Sequence, residues 1–257
     1  TSLGWNCARK SNTDTLDYAG HGTHVAGIIG AEGNNSIGVV GVNPKARLVP
    51  IKICFSNTNV TSNASLMTEG ILHAIRNNIP VCNMSYTSPD SNVFREAVIK
   101  YGENGGTLIV IAGNDGKCID DVQAYKALAE LDNVIMVANS DQEDGLNSDS
   151  NYGNIVHVAA PGTNIWSTFP TSLNSSGYKS WGGTSMAAPH VTGVVSLLKG
   201  INPDMAPYEI RQVIINCSDP VPQLRGKVSS GGRLNAIKSL GPYLCVIPQN
   251  GETMVAA

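Results

Sequence analysis

Five short apolar runs, separated by segments whose apolar residues recur at helical spacing, set the pattern of this chain. The runs are Leu48 to Phe55, Ile79 to Ser85, Thr107 to Ala112, Asn133 to Ala138 and Ile155 to Ala159. Strands this apolar belong in a sheet covered on both faces. Helices are predicted from His21 to Ala31 and near Ser65 to Arg76, Asn92 to Tyr101, Val122 to Leu131, Thr184 to Lys199, Ala206 to Ile215 and Leu234 to Leu240. Apolar strands alternating with helices indicate a doubly wound, three-layer α/β domain with a mostly parallel sheet, its site formed by loops at the carboxyl ends of the strands.

Residues 1–20 are polar and turn-rich, with Trp5 the only bulky anchor, and read as an N-terminal loop. The domain proper is predicted over residues 21–240. Gly241-Pro242 is expected to stop the last helix, leaving a C-terminal tail over residues 241–257. Three glycines in the first helix, Gly22, Gly27 and Gly30, suggest close approach to neighbouring backbone, since each costs about 1 kcal/mol in a helix interior.

Charged residues make up 14% of the chain, against roughly 25% in an average soluble protein, which favours a large buried sheet. The net charge of −3, without a Lys/Arg cluster, offers no footprint for nucleic acid or an anionic membrane. No apolar run approaches the length of a membrane span. The expected partner is therefore a roughly neutral polymer or peptide, taken by a monomer.

The six cysteines, Cys7, Cys54, Cys82, Cys118, Cys217 and Cys245, lack the paired spacing of a zinc site. Fifteen disulfide pairings are open, and Cys54 and Cys82 fit buried free thiols at least as well. Glycosylation sequons begin at Asn34, Asn59, Asn63, Asn83, Asn174 and Asn216, of which Asn83 falls in a buried run. The first residues have neither a basic nor an apolar leader segment.

The chemistry gathers around Gly183-Thr184-Ser185-Met186-Ala187-Ala188-Pro189-His190 and the apolar run that follows to Leu198. Thr184 reads as an N-cap, so the first-turn N–H groups point past Ser185 at the positive end of a buried helix. Pro189 is too deep for a first-turn proline and crowds the carbonyl of Ser185. Such a broken local rule beside a serine marks either a functional site or an ordinary capped core helix.

Two earlier blocks decide between these, Gly20-His21-Gly22-Thr23-His24-Val25-Ala26-Gly27 and Ala112-Gly113-Asn114-Asp115-Gly116. In the order His, Asn, Ser, the three blocks closely resemble the subtilisin-like serine proteases, from about Gly20 to Leu240. The resemblance implies a subtilisin-like fold with His21 as catalytic base, Ser185 as nucleophile and Asn114 as oxyanion donor. It also implies secretion, a pro-segment in the full-length protein and no cofactor needed for catalysis. A non-catalytic peptide-binding homologue is the alternative, whereas an esterase elbow would require Gly-x-Ser-x-Gly around Ser185.

Within this resemblance a peptide substrate lies between two edges, Val60, Thr61 and Ser62 on one side and Ser85, Tyr86 and Thr87 on the other, with Ala112 and Gly113 in the pocket floor. Tyr86-Thr87-Ser88 stands where the family usually has Leu-Gly-Gly, which predicts a reshaped pocket, unless Tyr86 is simply a strand aromatic. Gly33, Asn35, Ile37 and Val39 match a family calcium loop, but calcium takes six to eight oxygens. An empty Asn-rich turn is expected here, and structural calcium only in a full-length protein. His24, three residues after His21, lacks the spacing and glutamate of a zinc motif, and His73, His157 and His190 read as structural or surface residues.

The family's catalytic aspartate, in an Asp-Thr/Ser-Gly turn after its first core strand, has no counterpart in the twenty residues before His21. Asp14 and Asp17 are present there but follow no core strand. The expectation is a fragment or truncated product that lacks the first core strand and is impaired in activity and stability.

Overall fold

The computed structural model describes residues 3–54, 62–87 and 90–244. In chain order the elements are β1 (Trp5–Asn6), α1 (His21–Gly30), β2 (Ile51–Lys52), α2 (Ala64–Arg76), β3 (Val81–Met84), α3 (Asn92–Glu103), β4 (Thr107–Ile111), α4 (Gln123–Ala129) and β5 (Val134–Ser140). There follow β6 (Val158–Pro161), β7 (Ile165–Thr168), β8 (Tyr178–Trp181), α5 (Thr184–Ile201), α6 (Pro207–Asn216), β9 (Asp219–Pro220), β10 (Gly232–Arg233) and α7 (Ala236–Leu244). The main sheet has the order β3-β4-β5-β6-β10-β9 and is parallel except at the β9–β10 pair. β1 and β2 form a separate parallel ribbon, and β7 and β8 an antiparallel hairpin. The fold is the expected mostly parallel α/β architecture.

Alternation along the central strands sorts the core into two layers. Leu108 and Val110 of β4 join Phe94, Val98 and Tyr101 beneath α2 and α3. Ile109 and Ile111 of the same strand face Val191, Val194 and Leu198 of α5. That helix, apolar most of the way round, is the buried element from which Ser185 projects.

Four expectations change. The Leu48 to Phe55 run yields only the two residues of β2, because Pro50 has no N–H to donate and Phe55 lies outside the described residues. The run from Ile155 enters the ladder only at Val158, since the Ile155 N–H donates to Asp120 Oδ1 and the Val156 N–H turns back to Gly153. The N-terminal loop contains β1, held by the Trp5 and Cys7 N–H groups on the carbonyls of Pro50 and Lys52 and by Trp5 stacked 4.9 Å from His73. Pro242 sits inside α7 rather than ending it; near the helix end its missing N–H removes one bond without breaking the turn.

Gly27 shows why α1 is rich in glycine. A methyl there would lie 2.2 Å from Thr168 Oγ1 and 2.4 Å from Ser167 Oγ. Both hydroxyls are held, donating to the carbonyls of Thr23 and His24 at 2.9 and 2.6 Å. Gly27→Ala gains about 1 kcal/mol of helix propensity, but overpacking against fixed neighbours costs about 1–3 kcal/mol. Denaturant melts of the variant should therefore show a net loss of stability; an unchanged or raised midpoint would mean that β7 yields freely.

Candidate active site

Ser185 is the second residue of α5, so its N–H has no intrahelical acceptor and points out of the helix start. Gly183, not Thr184, occupies the N-cap position, with φ of 134° that suits glycine alone. Its carbonyl accepts the N–H groups of Met186 and Ala187 at 2.9 and 3.3 Å. Thr184 is instead the first helical residue, and its side chain points away toward Asn114.

The carbonyl of Ser185 would normally accept from residue 189, but proline has no N–H. Ser85 Oγ, at the end of β3, donates to it at 2.8 Å. Asn83 Nδ2 donates to Ser85 Oγ at 2.9 Å, and Thr192 Oγ1 donates to Asn83 Oδ1 at 2.8 Å. This chain of bonds fastens the first three turns of α5 to the end of β3. The Ser185 hydroxyl donates to the Ser85 carbonyl at 3.3 Å.

Asn114 follows β4, at the carboxyl end of the sheet as expected. Its Oδ1 accepts both the Thr184 N–H at 2.8 Å and Thr184 Oγ1 at 2.9 Å. With the oxygen held twice, the Nδ2 group is turned away from Thr184, beside the helix start that carries Ser185. Asn151, which no motif singled out, supports this loop: its Oδ1 accepts the N–H groups of Asp115 and Lys117, and its Nδ2 donates to Ala112 O. Its own backbone N–H donates to the Gly113 carbonyl at 2.9 Å, so Ala112 and Gly113 are both held by this one residue, the first through its side chain and the second through its backbone.

His21 opens α1 and lines a cleft of about 270 Å³ together with Asp17, Asn83, Ser85 and Tyr86. Ser85 lines the cleft and bonds Ser185 in both directions, so it joins the histidine and serine sides. The His21 ring packs edge-on against Trp181 at 5.7 Å and makes no hydrogen bond among the described residues. Burial lowers its pKa below the usual histidine range; the charge of Asp17 opposes that and His24 adds slightly to it.

Neither nearby aspartate is free to orient the imidazole. Asp17 Oδ1 accepts the N–H groups of Ala19 and Gly20, and Oδ2 accepts Thr23 N–H at 2.7 Å and Thr23 Oγ1 at 2.8 Å. Burial alone would raise its pKa, but these bonds outweigh it and lower the value. Its work is to close the first turn of α1. Asp14 accepts from Tyr18 and pairs with Arg9 and Lys52.

Of the two substrate edges, Val60 and Thr61 lie outside the described residues. Ser62 is joined to the other edge, its N–H donating to the Tyr86 hydroxyl at 3.2 Å. Tyr86 thus bridges the two edges, beyond the role of an ordinary strand aromatic; Thr87 is exposed. In the Gly33, Asn35, Ile37 and Val39 loop, Asn35 Oδ1 accepts the Ile37 N–H at 3.1 Å, an Asx turn. An amide oxygen so engaged and three carbonyls fall short of calcium's usual ligand count, and the loop does not fit a calcium site.

The remaining histidines have backbone partners. His24 is fully buried with Nε2 on the Lys179 carbonyl, His73 bonds the Leu3 carbonyl, and His190 bonds the Met186 carbonyl. His157 Nδ1 accepts the Met136 N–H at 2.8 Å. No group of three or more His, Cys, Asp or Glu among the described residues could hold a metal ion. Cys7, Cys54, Cys82, Cys118 and Cys217 are free thiols. No helix of the described residues is long and apolar enough to cross a membrane.

The sequence profile of the subtilase family, Peptidase S8, matches residues 4–237. Thermitase of Thermoactinomyces vulgaris is 36% identical over 238 residues, covering 92% of this chain and 80% of that one. A thermostable alkaline protease of Halalkalibacterium halodurans is 40% identical over 199 residues, 77% of this chain and 52% of its own length. The chain thus spans about half the length of that relative. Among solved structures, a cold-adapted subtilisin-like serine proteinase superposes with a TM-score of 0.73 at 27% identity, covering 90% of this chain and 78% of that one.

The environment of His21 sets a sign that can be measured. Its ring should titrate below the ordinary histidine value, and Asp17→Asn should lower the midpoint further, because the opposing negative charge is gone. NMR titration of the imidazole protons reads both, and a midpoint left unchanged in Asp17→Asn would show that the two groups do not interact.

Proposed function

Because the chain belongs to the subtilase family of subtilisin-like serine endopeptidases, we propose that Ser185 is its acylating nucleophile, His21 the general base, and Asn114 Nδ2 with the Ser185 N–H the oxyanion donors. The observation that carries this reading is the pair of hydrogen bonds from Thr184 to Asn114 Oδ1, which holds the Asn114 amide beside the start of the helix that carries Ser185 and leaves its NH₂ group free to donate. Two such donors stabilise the charge that develops on a carbonyl oxygen under attack. His21 takes the Ser185 hydroxyl proton as the C–O bond forms, then gives it to the departing amine as the C–N bond breaks. Water repeats the cycle in reverse to release the acid.

The substrate is an extended peptide held by backbone pairing at the Ser62 and Ser85 edges, with Ala112 and Gly113 beneath it. The protein acts outside the cell as a monomer. With Asp14 and Asp17 engaged elsewhere, no described carboxylate holds the imidazole, so turnover is impaired relative to a site with a complete triad. The same lack favours a second reading, a peptide-binding homologue without turnover. Peptide affinity that survives Ser185→Ala, with no hydrolysis by the parent chain, would select it.

A fluorophosphonate probe should label the chain at Ser185, with labelling lost in Ser185→Ala and strongly reduced in His21→Ala. Asn114→Ala should lower the rate by about 10²–10³, the loss known for one oxyanion donor in subtilisin. Labelling at another residue, or indifference to His21, would count against the assignment.

A further inference from the structure

The side chain of Tyr86 reaches from one edge of the proposed substrate groove to the other. It packs against the core cluster beneath α2 and α3, as do Ile53 and Cys82. A tyrosine has only two side-chain torsions, so seating the ring also places the hydroxyl. That hydroxyl accepts the Ser62 N–H at 3.2 Å.

Ser62 is fixed from its own side as well. Its Oγ donates to the Ile53 carbonyl at 2.6 Å, just beyond β2. The next residue, Asn63, caps α2, its Oδ1 accepting the Leu66 N–H at 3.0 Å. Both donors of Ser62 are therefore committed, and the backbone that carries it is pinned at a helix start. Because the group that takes the Ser62 N–H comes from the opposite edge, this N–H points across the groove. An extended peptide would use such a donor in strand pairing, and here a phenol oxygen stands where the peptide's carbonyl oxygen would lie.

On the opposite edge Ser85 is bonded to Ser185 in both directions, and Tyr86 is one residue farther from the nucleophile. The hydroxyl bridge thus crosses the groove beyond the substrate residues nearest the scissile bond. We propose that Tyr86 is a specificity-determining residue that closes the outer end of the groove. Its hydroxyl competes with the substrate's backbone for the Ser62 N–H, so recognition is confined to about two residues on the acyl side, the side that stays on Ser185. This rests on the peptide-binding reading above and extends it from the class of substrate to its length. A longer peptide must exchange the Tyr86 bond for its own, which is close to neutral, whereas an N–H without that partner would add the net worth of a hydrogen bond.

Tyr86→Phe keeps the ring and removes the competitor. The intact chain and this variant are compared on acetyl-Ala-Leu and acetyl-Ala-Ala-Ala-Leu p-nitroanilides, and by anisotropy on fluorescein-labelled amides of the same two peptides. Lengthening the nitroanilide should raise kcat/KM less than about twofold in the parent chain, and the gain should be about three- to tenfold larger in Tyr86→Phe. The labelled tetrapeptide should bind the variant more tightly by a similar factor. The same length dependence in both proteins, or a parent rate that already climbs steeply with length, would overturn the proposal. A fall in the variant that is equal for the two substrates would do so too, since the bridge would then be structural only. Absence of cleavage by either protein, with tetrapeptide affinity raised in the variant alone, would uphold groove closure and overturn the protease reading. Absence of cleavage with affinities unchanged by the substitution would overturn groove closure as well.

Discussion

The missing N–H of Pro189 is the constraint around which the site is built. A helix normally satisfies the carbonyl of residue 185 from residue 189, and here it cannot. Left unpaired in a partly buried setting, that oxygen would cost about 1–3 kcal/mol. Ser85 Oγ removes the cost, but only if the end of β3 lies against the first turn of α5. The relay from Thr192 through Asn83 fixes the Ser85 rotamer. One absent donor thereby ties a sheet edge to a helix start, and Ser185 sits where the two meet.

Long, fully buried elements were legible in the sequence because burial on both faces leaves little freedom of composition. β4, β5 and α5 are of this kind, and the blocks that carry Asn114 and Ser185 lie at the ends of β4 and α5. Short elements were not. β1 has only two residues and gains its place from the Trp5–His73 stack and from pairing with a distant strand, neither of which leaves a local pattern. The β7–β8 hairpin alternates poorly, since Trp166 is exposed while Ser167 is buried against α1. Periodicity therefore reads it as loop.

At the site itself, residue identity was easier to read than role. Thr184 has the composition of a cap, yet its hydroxyl serves as a donor to Asn114, because Gly183 can adopt a φ that makes its own carbonyl the acceptor for the first turn. Asn151 carries no motif at all; its importance comes from reaching four backbone groups across more than thirty residues of sequence. Asp17, which follows no core strand, carries no motif for its own work either, and it is the anchor of α1. In each case hydrogen-bond capacity is finite, and the fold assigns it.

That finiteness also bears on how much catalysis a site without an orienting acid can retain. In subtilisin, removal of the acid costs about 3 × 10⁴ in turnover, while removal of the serine or histidine costs about 2 × 10⁶. Serine, base and oxyanion donors together thus keep a catalytic advantage that the acid multiplies but does not create. Here burial lowers the His21 pKa, which favours the neutral form of the ring, and Trp181 packs edge-on against it. Protonation of that ring runs against its burial, and it is helped only by the charge of an Asp17 carboxylate whose four hydrogen bonds are already committed to the first turn of α1.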